Sequence, residues 1–477
     1  MLWLCLDFPR LSLEVFPRAG TSPDALVVSG GGSRPAVVAC DARAASSGIR
    51  PGMAVSAAYA AAPRILVRDR DIREEQRALE ATALWALQFT SRVGLAPPTS
   101  LLLEIGCSLK LFGGLDALRA RIREAAAQLG FDAVTAVAPT PRGAQWLARA
   151  GLDLAIEDTV SLHRHLSRLP LDMVEVEPDT LDSLDRMGIR TVGECLGLPR
   201  DGLARRFGQT LLDALDRALG KLPDPVSPFV PPVRFAASLV LPSPVTEVEA
   251  LLFAAHRLIL QMAGYLSARN AGVMRLKLAL RGEDRGQTDA IVALSVPSRD
   301  PRHLVNLLRE RLSSIAPPGR IESVALEALE ITQLAPRNFS FFPDREQSHE
   351  ERAALVEKLR ARLGEDAVHG LSLYPDARPE LAWREAEPGT ATEPVLRLPR
   401  PTWLLARPRP LATRDGQPWL GGALALLDGP ERIESGWWNG NDVQRDYFVA
   451  RDACGATFWI YRERAQPGGW FLHGVFA

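Results

Sequence analysis

The chain has 477 residues, more than one hydrophobic core usually supports, so we expect several domains. Its 47% apolar and 24% charged residues are typical of an ordinary soluble globular protein, and its net charge of −1 does not by itself indicate a nucleic-acid-binding protein. Charge is nevertheless unevenly distributed, because residues 232–320 contain 12 Lys and Arg but 7 Asp and Glu.

Cysteine usage and the N-terminal sequence indicate the compartment. The cysteines are scattered and form no C-x-x-C pair, which argues against a zinc site and a disulfide framework. Asp7 interrupts the first apolar run early, and no basic segment precedes that run. We therefore expect a cytoplasmic protein with no signal peptide and no membrane span.

The first 150 residues alternate short apolar strands with helices. A strand enters a helix within residues 1–15, and further strands are predicted at 35–40, 101–105 and 133–138. Helices are predicted at 73–90, 115–129 and 142–150. The Ala-rich stretch 42–62 favours helix but is interrupted at Gly48 and at Pro51-Gly52. This alternation predicts an α/β or α+β layer.

The pattern changes beyond residue 165. Residues 170–220 favour short helices, with Pro178 well suited to a helix start, and the Pro-rich stretch 223–232 indicates an extended linker. Strands and two helices, near 247–268 and 302–315, fill residues 233–335, and a second Pro-rich stretch at 387–410 predicts a further linker. Residues 448–450 and 456–461 predict a β-hairpin. We predict an α+β multidomain protein with domains at 1–165, 166–225, 226–336, 337–385 and 386–477.

The opening segment carries the first specific motif. A strand containing Cys5 and Asp7 leads to Ser12-Leu13-Glu14, and this resembles the start of the Y-family translesion DNA polymerases. In that family the strand carries Asp-x-Asp, and Cys5 falls on the first aspartate, a metal ligand. Polymerases of this kind need carboxylates for paired Mg²⁺, because hard cations take oxygen ligands. A thiol is a soft ligand and a poor substitute.

Three further blocks resemble the family and lack its polar groups. Residues 48–53 resemble a turn in the fingers, with Ala45 where the family has an arginine that meets the triphosphate. Glu104 stands in the place of a metal-binding aspartate, and Ile105 in the place of the adjacent glutamate. Pro141 replaces a lysine that would contact the triphosphate. The apolar positions around these losses are retained.

This combination is similar to a catalytically silent group within the Y family, and the similarity extends into the aromatic segment 445–477. The resemblance implies a right-hand fold of palm, fingers and helical thumb, with a little-finger domain and a β-containing C-terminal tail. It implies that Cys5, Asp7, Glu104 and Ile105 mark a degenerate site, with no catalytic residue, metal or cofactor. It also implies an adaptor role in DNA-damage tolerance, covering translesion synthesis and induced mutagenesis in the SOS response.

The basic stretch is the expected DNA-binding module. Arg275 and Lys277 share one face of a predicted strand, and Arg269 and Arg281 flank them. Cations on one sheet face suit contact with phosphates without base readout, although edge strands also carry charge for solubility alone. In the segment that resembles the thumb, the turn 187–191 either presents backbone amides to phosphate or forms a plain helix–helix corner.

The segment after this module suggests a contact with the β sliding clamp. The silent group carries a clamp peptide here, and Asn338, Phe341 and Phe342 stand where that peptide has glutamine and two apolar anchors. An apolar cluster that packs on its own domain is the alternative. The resemblance also implies, besides primer–template DNA, a RecA-like accessory protein and an error-prone C-family DNA polymerase as partners.

Two other functions stay open at this point. The first is an active translesion polymerase in which Asp7 and Glu104 together hold a metal ion. The second is a protein-interaction scaffold that does not bind DNA.

Overall fold

The computed structural model describes residues 1–16, 24–315, 319–334, 345–390, 399–438, 440–465 and 468–476. The chain divides into two compact units, Met1–Arg362 and Leu363–Ala477. Helices and sheets are combined in the first unit and the second is rich in strands, so the predicted α+β multidomain class is confirmed.

The elements before residue 150 match the predicted alternation. In chain order they are β1 (Trp3–Asp7), α1 (Leu11–Glu14), β2 (Ala25–Ser29), β3 (Val37–Cys40), α2 (Ala42–Ser46), α3 (Val55–Ala61), β4 (Ile65–Asp69), α4 (Ile72–Ala86), β5 (Val93–Ala96), β6 (Ser100–Glu104), α5 (Leu109–Phe112), α6 (Leu115–Gln128), β7 (Val134–Ala138) and α7 (Pro141–Arg149). Helix α4 is shorter than the predicted 73–90, and its N-terminus is capped by Asp71, whose carboxylate accepts from the amides of Arg73 and Glu74.

The central sheet has the strand order β5-β6-β1-β7, and its two faces pack against different elements. Leu4, Leu6 and Leu103 are buried on the face that packs against α4 and α6. Cys5 and Ala136 are buried on the other face with Trp146 of α7. Since neighbouring residues of a strand alternate between faces, both faces of β1 lie in hydrophobic cores.

The broken Ala-rich stretch forms a small layer of its own. Strands β3, β2 and β4 make a sheet that packs against α2 and α3 through residues such as Val27, Ile49 and Ala58. Gly48 and Gly52 both have φ of 85°, a backbone conformation that favours glycine, so the turn predicted there is confirmed. Met53 packs against the same hydrophobic cluster as Ile49 of that turn.

The remaining elements of the first unit follow. They are α8 (Thr159–Leu166), α9 (Pro178–Arg186), α10 (Val192–Leu196), α11 (Arg200–Phe207), α12 (Gln209–Ala218), β8 (Ala236–Val245), α13 (Val248–Ala268), β9 (Ala271–Gly282), β10 (Gln287–Ser298), α14 (Pro301–Ser313), β11 (Ile321–Gln333) and α15 (Arg345–Leu363). Residues 219–235 contain neither helix nor strand, consistent with the predicted linker.

The basic sheet, with the order β10-β9-β11-β8, packs one face against α13 and α14. Helix α13 also faces the central sheet, because its Leu260 belongs to the core that contains Leu4 and Leu6. A Cβ added to Gly264 of α13 would lie 2.2 Å from the carbonyl oxygen of Leu84 in α4, so the two helices meet backbone to backbone. By length and composition α13 is the one helix, among the residues described, that could cross a membrane, yet 67% of its apolar stretch is buried inside the protein.

The second unit is built from β12 (Gly370–Leu373), β13 (Trp383–Ala386), β14 (Trp403–Arg414), β15 (Gln417–Trp419), β16 (Ala425–Ser435), β17 (Val443–Arg451), β18 (Thr457–Glu463) and β19 (Trp470–Val475). Strands β12 and β13 pair, and the others form a sheet in the order β15-β14-β19-β18-β17-β16. The predicted hairpin is confirmed as β17–β18. The predicted Pro-rich linker is wrong over 403–410, which is part of β14, and residues 391–398 lie outside the described residues.

Candidate functional site

Cys5 lies in the middle of the central sheet, enclosed by protein on all sides. Its backbone pairs with Leu102 on β6 and Ala136 on β7, and its side chain is completely buried. Burial, with a contribution from nearby Asp7, raises the pKa of the Cys5 thiol far above its ordinary value. The thiol therefore stays neutral, and it offers no oxygen to a magnesium ion.

Asp7 ends β1 on the same face as Cys5 and is already hydrogen-bonded. Its Oδ1 accepts from the hydroxyl groups of Thr99 and Ser100, each at 2.7 Å. The residue is only 4% exposed. Two hydroxyl donors thus satisfy the carboxylate oxygen that would face a ligand in an open site.

Glu104 lies at the other end of this face. It pairs with Trp3, whereas Asp7 pairs with Ser100, so four residues of strand separate the two positions. At about 3.3 Å per residue the separation is about 13 Å. The Oε1 of Glu104 accepts from the amide of Gly106 at 3.1 Å. Since Mg²⁺ ligand oxygens lie about 2.0–2.1 Å from the ion, one ion does not reach both carboxylates in this arrangement.

Ile105 occupies the position of the second family acid and belongs to a hydrophobic core. It is fully buried with Leu103 and Val137 on the side of the sheet that packs against α4 and α6. A carboxylate at this position would enter an apolar environment without a partner, which is energetically costly.

Two arginines of α7 form an ion-pair network beside the Cys5 face. Arg149 donates to Glu175 at 2.5 Å and to the Pro97 carbonyl at 3.1 Å, and its Nε lies 3.4 Å from the Ser100 hydroxyl. Arg142 lies 3.4 Å from Glu175 and 3.4 Å from Asp224. The network links α7 to the helical segment and places a permanent positive charge next to Ser100.

The donor set does not fit the paired magnesium ions that the Y-family resemblance implies. Within the described part of the chain, no group of three or more His, Cys, Asp or Glu side chains lies close enough together to hold a metal ion. Cys5 is a buried neutral thiol, and Asp7 and Glu104 are too far apart to share an ion.

The positions aligned with triphosphate contacts are also occupied by groups that cannot bind phosphate. Ala45 is exposed on α2 and has no polar side-chain atom. Pro141 is the first residue of α7, where its missing amide costs nothing. The N-cap of this helix is Thr140, whose hydroxyl accepts from the Gly143 amide and donates to the carbonyl of Ala218.

The basic sheet presents two of the predicted DNA-binding residues on one outer face, as their spacing indicates. Arg275 and Lys277 alternate with the buried Leu276 and Leu278 along β9. Each is paired with an acid on β11: Arg275 lies 3.2 Å from Glu330, and Lys277 lies 3.0 Å from Glu327. The hydrogen bond with Glu327 raises the pKa of Lys277. These acids partly neutralise the face, and the sequence analysis missed them.

Arg281 and Arg269 differ from this pair. Arg281 is exposed on the same face of β9, where it pairs with Ser323 and Gln287 and has no acid opposite it. Arg269 ends α13, stacks 4.0 Å from the ring centre of Tyr265 and donates to the carbonyl of Pro232 at 2.7 Å. Arg269 thus fastens the linker to the end of α13, whereas the other three residues lie on β9.

The turn at 187–191 is a helix–helix corner whose backbone amides all have internal acceptors. The amides of Met187, Gly188 and Ile189 donate to carbonyls at the end of α9. The amides of Arg190 and Thr191 donate to the carboxylate of Glu194, at 2.8 and 3.0 Å. The signal was present in the sequence, since Thr191-x-x-Glu194 is a capping box.

The predicted clamp-binding residues Asn338, Phe341 and Phe342 lie outside the described residues. The helix that follows them, α15, is held to the basic sheet by Glu357. Its carboxylate accepts from the amide of Ser295 at 2.6 Å and lies 2.8 Å from the ring of His303.

Comparison with known proteins supports the resemblance. Residues 21–149 match the impB/mucB/samB family. The chain is 28% identical over 458 residues to Protein ImuB of Caulobacter vibrioides, strain NA1000 / CB15N, and the alignment covers 90% of this chain and 100% of that protein. Protein ImuB of the strain ATCC 19089 matches with the same values.

Solved structures of DNA polymerases are also similar. DinB from Sulfolobus solfataricus is 19% identical with a TM-score of 0.38, over 69% of this chain and 98% of that one. An insertion ternary complex of Dbh DNA polymerase is 19% identical with a TM-score of 0.40, over 69% of this chain and 98% of that one.

The family match includes most of the central sheet, so this part of the chain is similar to proteins of the impB/mucB/samB class. The expected Y-family resemblance is thereby confirmed. Within this class the chain is a homologue of Protein ImuB, and the similarity spans most of its length.

Proposed function

We propose that the protein is a non-catalytic, polymerase-like adaptor in DNA-damage tolerance. It holds primer–template DNA against the outer face of the basic sheet and docks on the β sliding clamp through Asn338, Phe341 and Phe342. It assembles with a RecA-like accessory protein and an error-prone C-family DNA polymerase, and that polymerase performs nucleotide transfer. Cys5, Asp7, Glu104 and Ile105 serve the fold.

The observation that carries this proposal is the set of side chains on the central sheet. Two-metal nucleotide transfer needs carboxylates that converge on one point. Here Asp7 and Glu104 lie at opposite ends of the Cys5 face. Between them lie a neutral thiol and the apolar Leu102, and Ile105 is in the core behind. A polymerase that used Asp7 and Glu104 to share one metal ion has no support in this geometry.

The DNA contact is supported by the local charge and by the sheet. Among the residues that the structure describes, Arg281 has no acidic partner, and Arg275 and Lys277 project from the same face as Arg281. Exchange of the carboxylates of Glu327 and Glu330 for DNA phosphates would keep each cation paired while the protein binds. Such exchange favours contact with any sequence, because phosphates carry no base information.

Primer extension with the purified full-length protein tests the proposal. We expect no template-dependent incorporation with Mg²⁺ or Mn²⁺, because Asp7 and Glu104 lie too far apart to hold one ion together. The matched variant Glu104→Ala identifies contamination, since activity from a foreign polymerase would be the same in both preparations. Incorporation by the wild-type protein that disappears in Glu104→Ala would refute the proposal and establish an active enzyme.

A further inference from the structure

A groove of about 1640 Å³ follows β8, an end strand of the basic sheet. In the described residues β8 pairs with β11 only. The groove is lined by every residue from Ala236 to Ser243, without the alternation that a surface on one face of the strand would show. It therefore runs along the edge of β8 that has no partner strand.

The unpaired edge determines the conformation of an occupant. An edge strand exposes a row of amide and carbonyl groups, and an extended peptide satisfies them by adding as one more strand. Pro242 and Pro244 have no amide hydrogen, so the segment suited to pairing is 236–241. The groove is also larger than the roughly 300–1,000 Å³ of small-molecule sites, which favours a peptide.

The other walls of the groove are largely apolar. Ala78, Ala81 and Leu84 line it at helical spacing along α4. Phe253 of α13 projects from the opposite side with 70% of its side chain exposed, and Val240 of β8 is 63% exposed. Alternate side chains of an added strand would pack against these two walls.

The charge on the α4 wall indicates the sign of the occupant. Asp71 and Glu80 line the groove, and neither has a cationic partner among the residues described. Glu74 is already paired with Arg77. Arg257, the other cation of the lining, is largely buried and stacks 5.4 Å from the ring centre of Phe131. The uncompensated charge of the groove is negative.

We propose that β8 binds an extended segment of a partner protein as an added strand, and that this segment alternates apolar residues with lysine or arginine. Its backbone pairs with residues 236–241, its apolar side chains contact Phe253 and the α4 wall, and its cations meet Asp71 and Glu80. The site follows the edge of β8, two strands away from the β9 residues Arg275 and Lys277 in the sheet order. The proposal does not rest on the adaptor function proposed above.

Selection from a phage-displayed library of short random peptides on the full-length protein tests this surface. The peptides that are enriched should be basic, with apolar residues at alternate positions. Measured by fluorescence polarisation, their affinity should fall by about tenfold or more in Phe253→Asp and in Glu80→Lys. Phe253 is exposed and Glu80 is partly exposed, and neither belongs to a hydrophobic core, so the two variants should fold. Leu111→Asp is the matched control, because Leu111 is 81% exposed and lies outside the groove.

Amide hydrogen exchange then locates the bound peptide. Protection of residues 236–241 on binding supports strand addition. Enrichment of acidic peptides, affinity unchanged in both variants, or protection confined to other elements would overturn the proposal. A concentration-dependent dimer that Phe253→Asp abolishes would also overturn it, because a second copy of the chain would then be the occupant.

Discussion

Cys5 stands where the aligned polymerases have an acid, and its surroundings are arranged for a neutral side chain. Ala136 and Leu102 flank it on the neighbouring strands, and Trp146 of α7 belongs to the same core. The nearest fixed positive charge, on Arg149, is already paired with Glu175. Asp7 adds a negative charge on the same face of β1. A second carboxylate at position 5 would thus meet repulsion and no free donor.

The substitution Cys5→Asp should therefore destabilise the protein and should not create a metal site. We expect the free energy of unfolding to fall by about 3 kcal/mol, the cost of burying a charge without a partner or of protonating it. Urea unfolding of the full chain measures the change, with Cys5→Ala as the control for lost packing. If Cys5→Asp were as stable as the wild-type protein and bound Mn²⁺, the site would be open and our interpretation wrong.

The replacement of family residues by Cys5, Glu104 and Ile105 could be predicted from the sequence, because each of the three lies in or next to a short strand with a clear motif. The side chains that surround these three residues could not be predicted from the sequence. Asp7 is held by Thr99 and Ser100, more than 90 positions away in the chain. Such long-range contacts follow from strand register, which local sequence does not determine.

Among the elements, the basic sheet shows most clearly how neighbouring strands modify a sequence motif. The spacing of Arg275 and Lys277 predicted a cationic face on β9, and the structure confirms that the two share one face. Their partners Glu327 and Glu330 come from β11, which only the register places beside β9. The face is mixed in charge, so these acids compete with any phosphate for the same two cations.

Removal of the competing acids should strengthen DNA binding. For Glu327→Gln with Glu330→Gln we expect tighter binding to primer–template DNA, with the slope of log affinity against log salt steeper by about 0.9 per phosphate gained. Lys277→Gln should weaken binding. The control Glu249→Gln changes charge on α13, where Glu249 pairs with Arg309. A salt dependence identical in all of these variants would place the DNA elsewhere.

Proline content misled the prediction for β14. The sequence at 387–410 resembles an extended linker, yet Trp403–Arg414 is a strand that includes Pro408 and Pro410. The pairing of β14 with β19 shifts register between Leu404 and Arg409, an interval that contains Pro408 and ends one residue before Pro410. Such irregularities are where strands tolerate proline, because a missing amide then breaks fewer ladder hydrogen bonds.

At the scale of the whole molecule, the second unit has a core of its own that contains a histidine. Tyr447 stacks on Trp459 with ring centres 4.1 Å apart, and its hydroxyl is 2.7 Å from Nδ1 of His473. His473 is 1% exposed, with Glu380 3.9 Å from its other ring nitrogen and Arg445 close by. Burial lowers the pKa of His473 to about 4, so the ring is neutral in the folded protein.

Acid should therefore unfold the second unit. Between pH 6.5 and about 4 the unfolded chain binds a proton at His473 and the folded chain does not. The free energy of unfolding therefore decreases as the pH is lowered through this range. The loss reaches about 3 kcal/mol near pH 4 and grows no further below it. Urea unfolding followed by the near-ultraviolet circular dichroism of the Tyr447–Trp459 pair measures it.

The variant His473→Gln should flatten this pH dependence, whereas His369→Gln should leave it unchanged, because His369 is 41% exposed. A pH profile that is the same in His473→Gln and in the wild-type protein would show that another group is responsible.

Helix α13 has a consequence for how this protein can be divided. Its Leu260 belongs to the core beneath the first strand, and its Gly264 contacts the backbone of the neighbouring helix α4. Its other side packs against the basic sheet. A fragment that stops at the linker would leave the apolar surface that α13 covers exposed on the N-terminal piece. The part before the linker and the part that contains the basic sheet are thus joined through α13, and we expect neither to fold intact without the other.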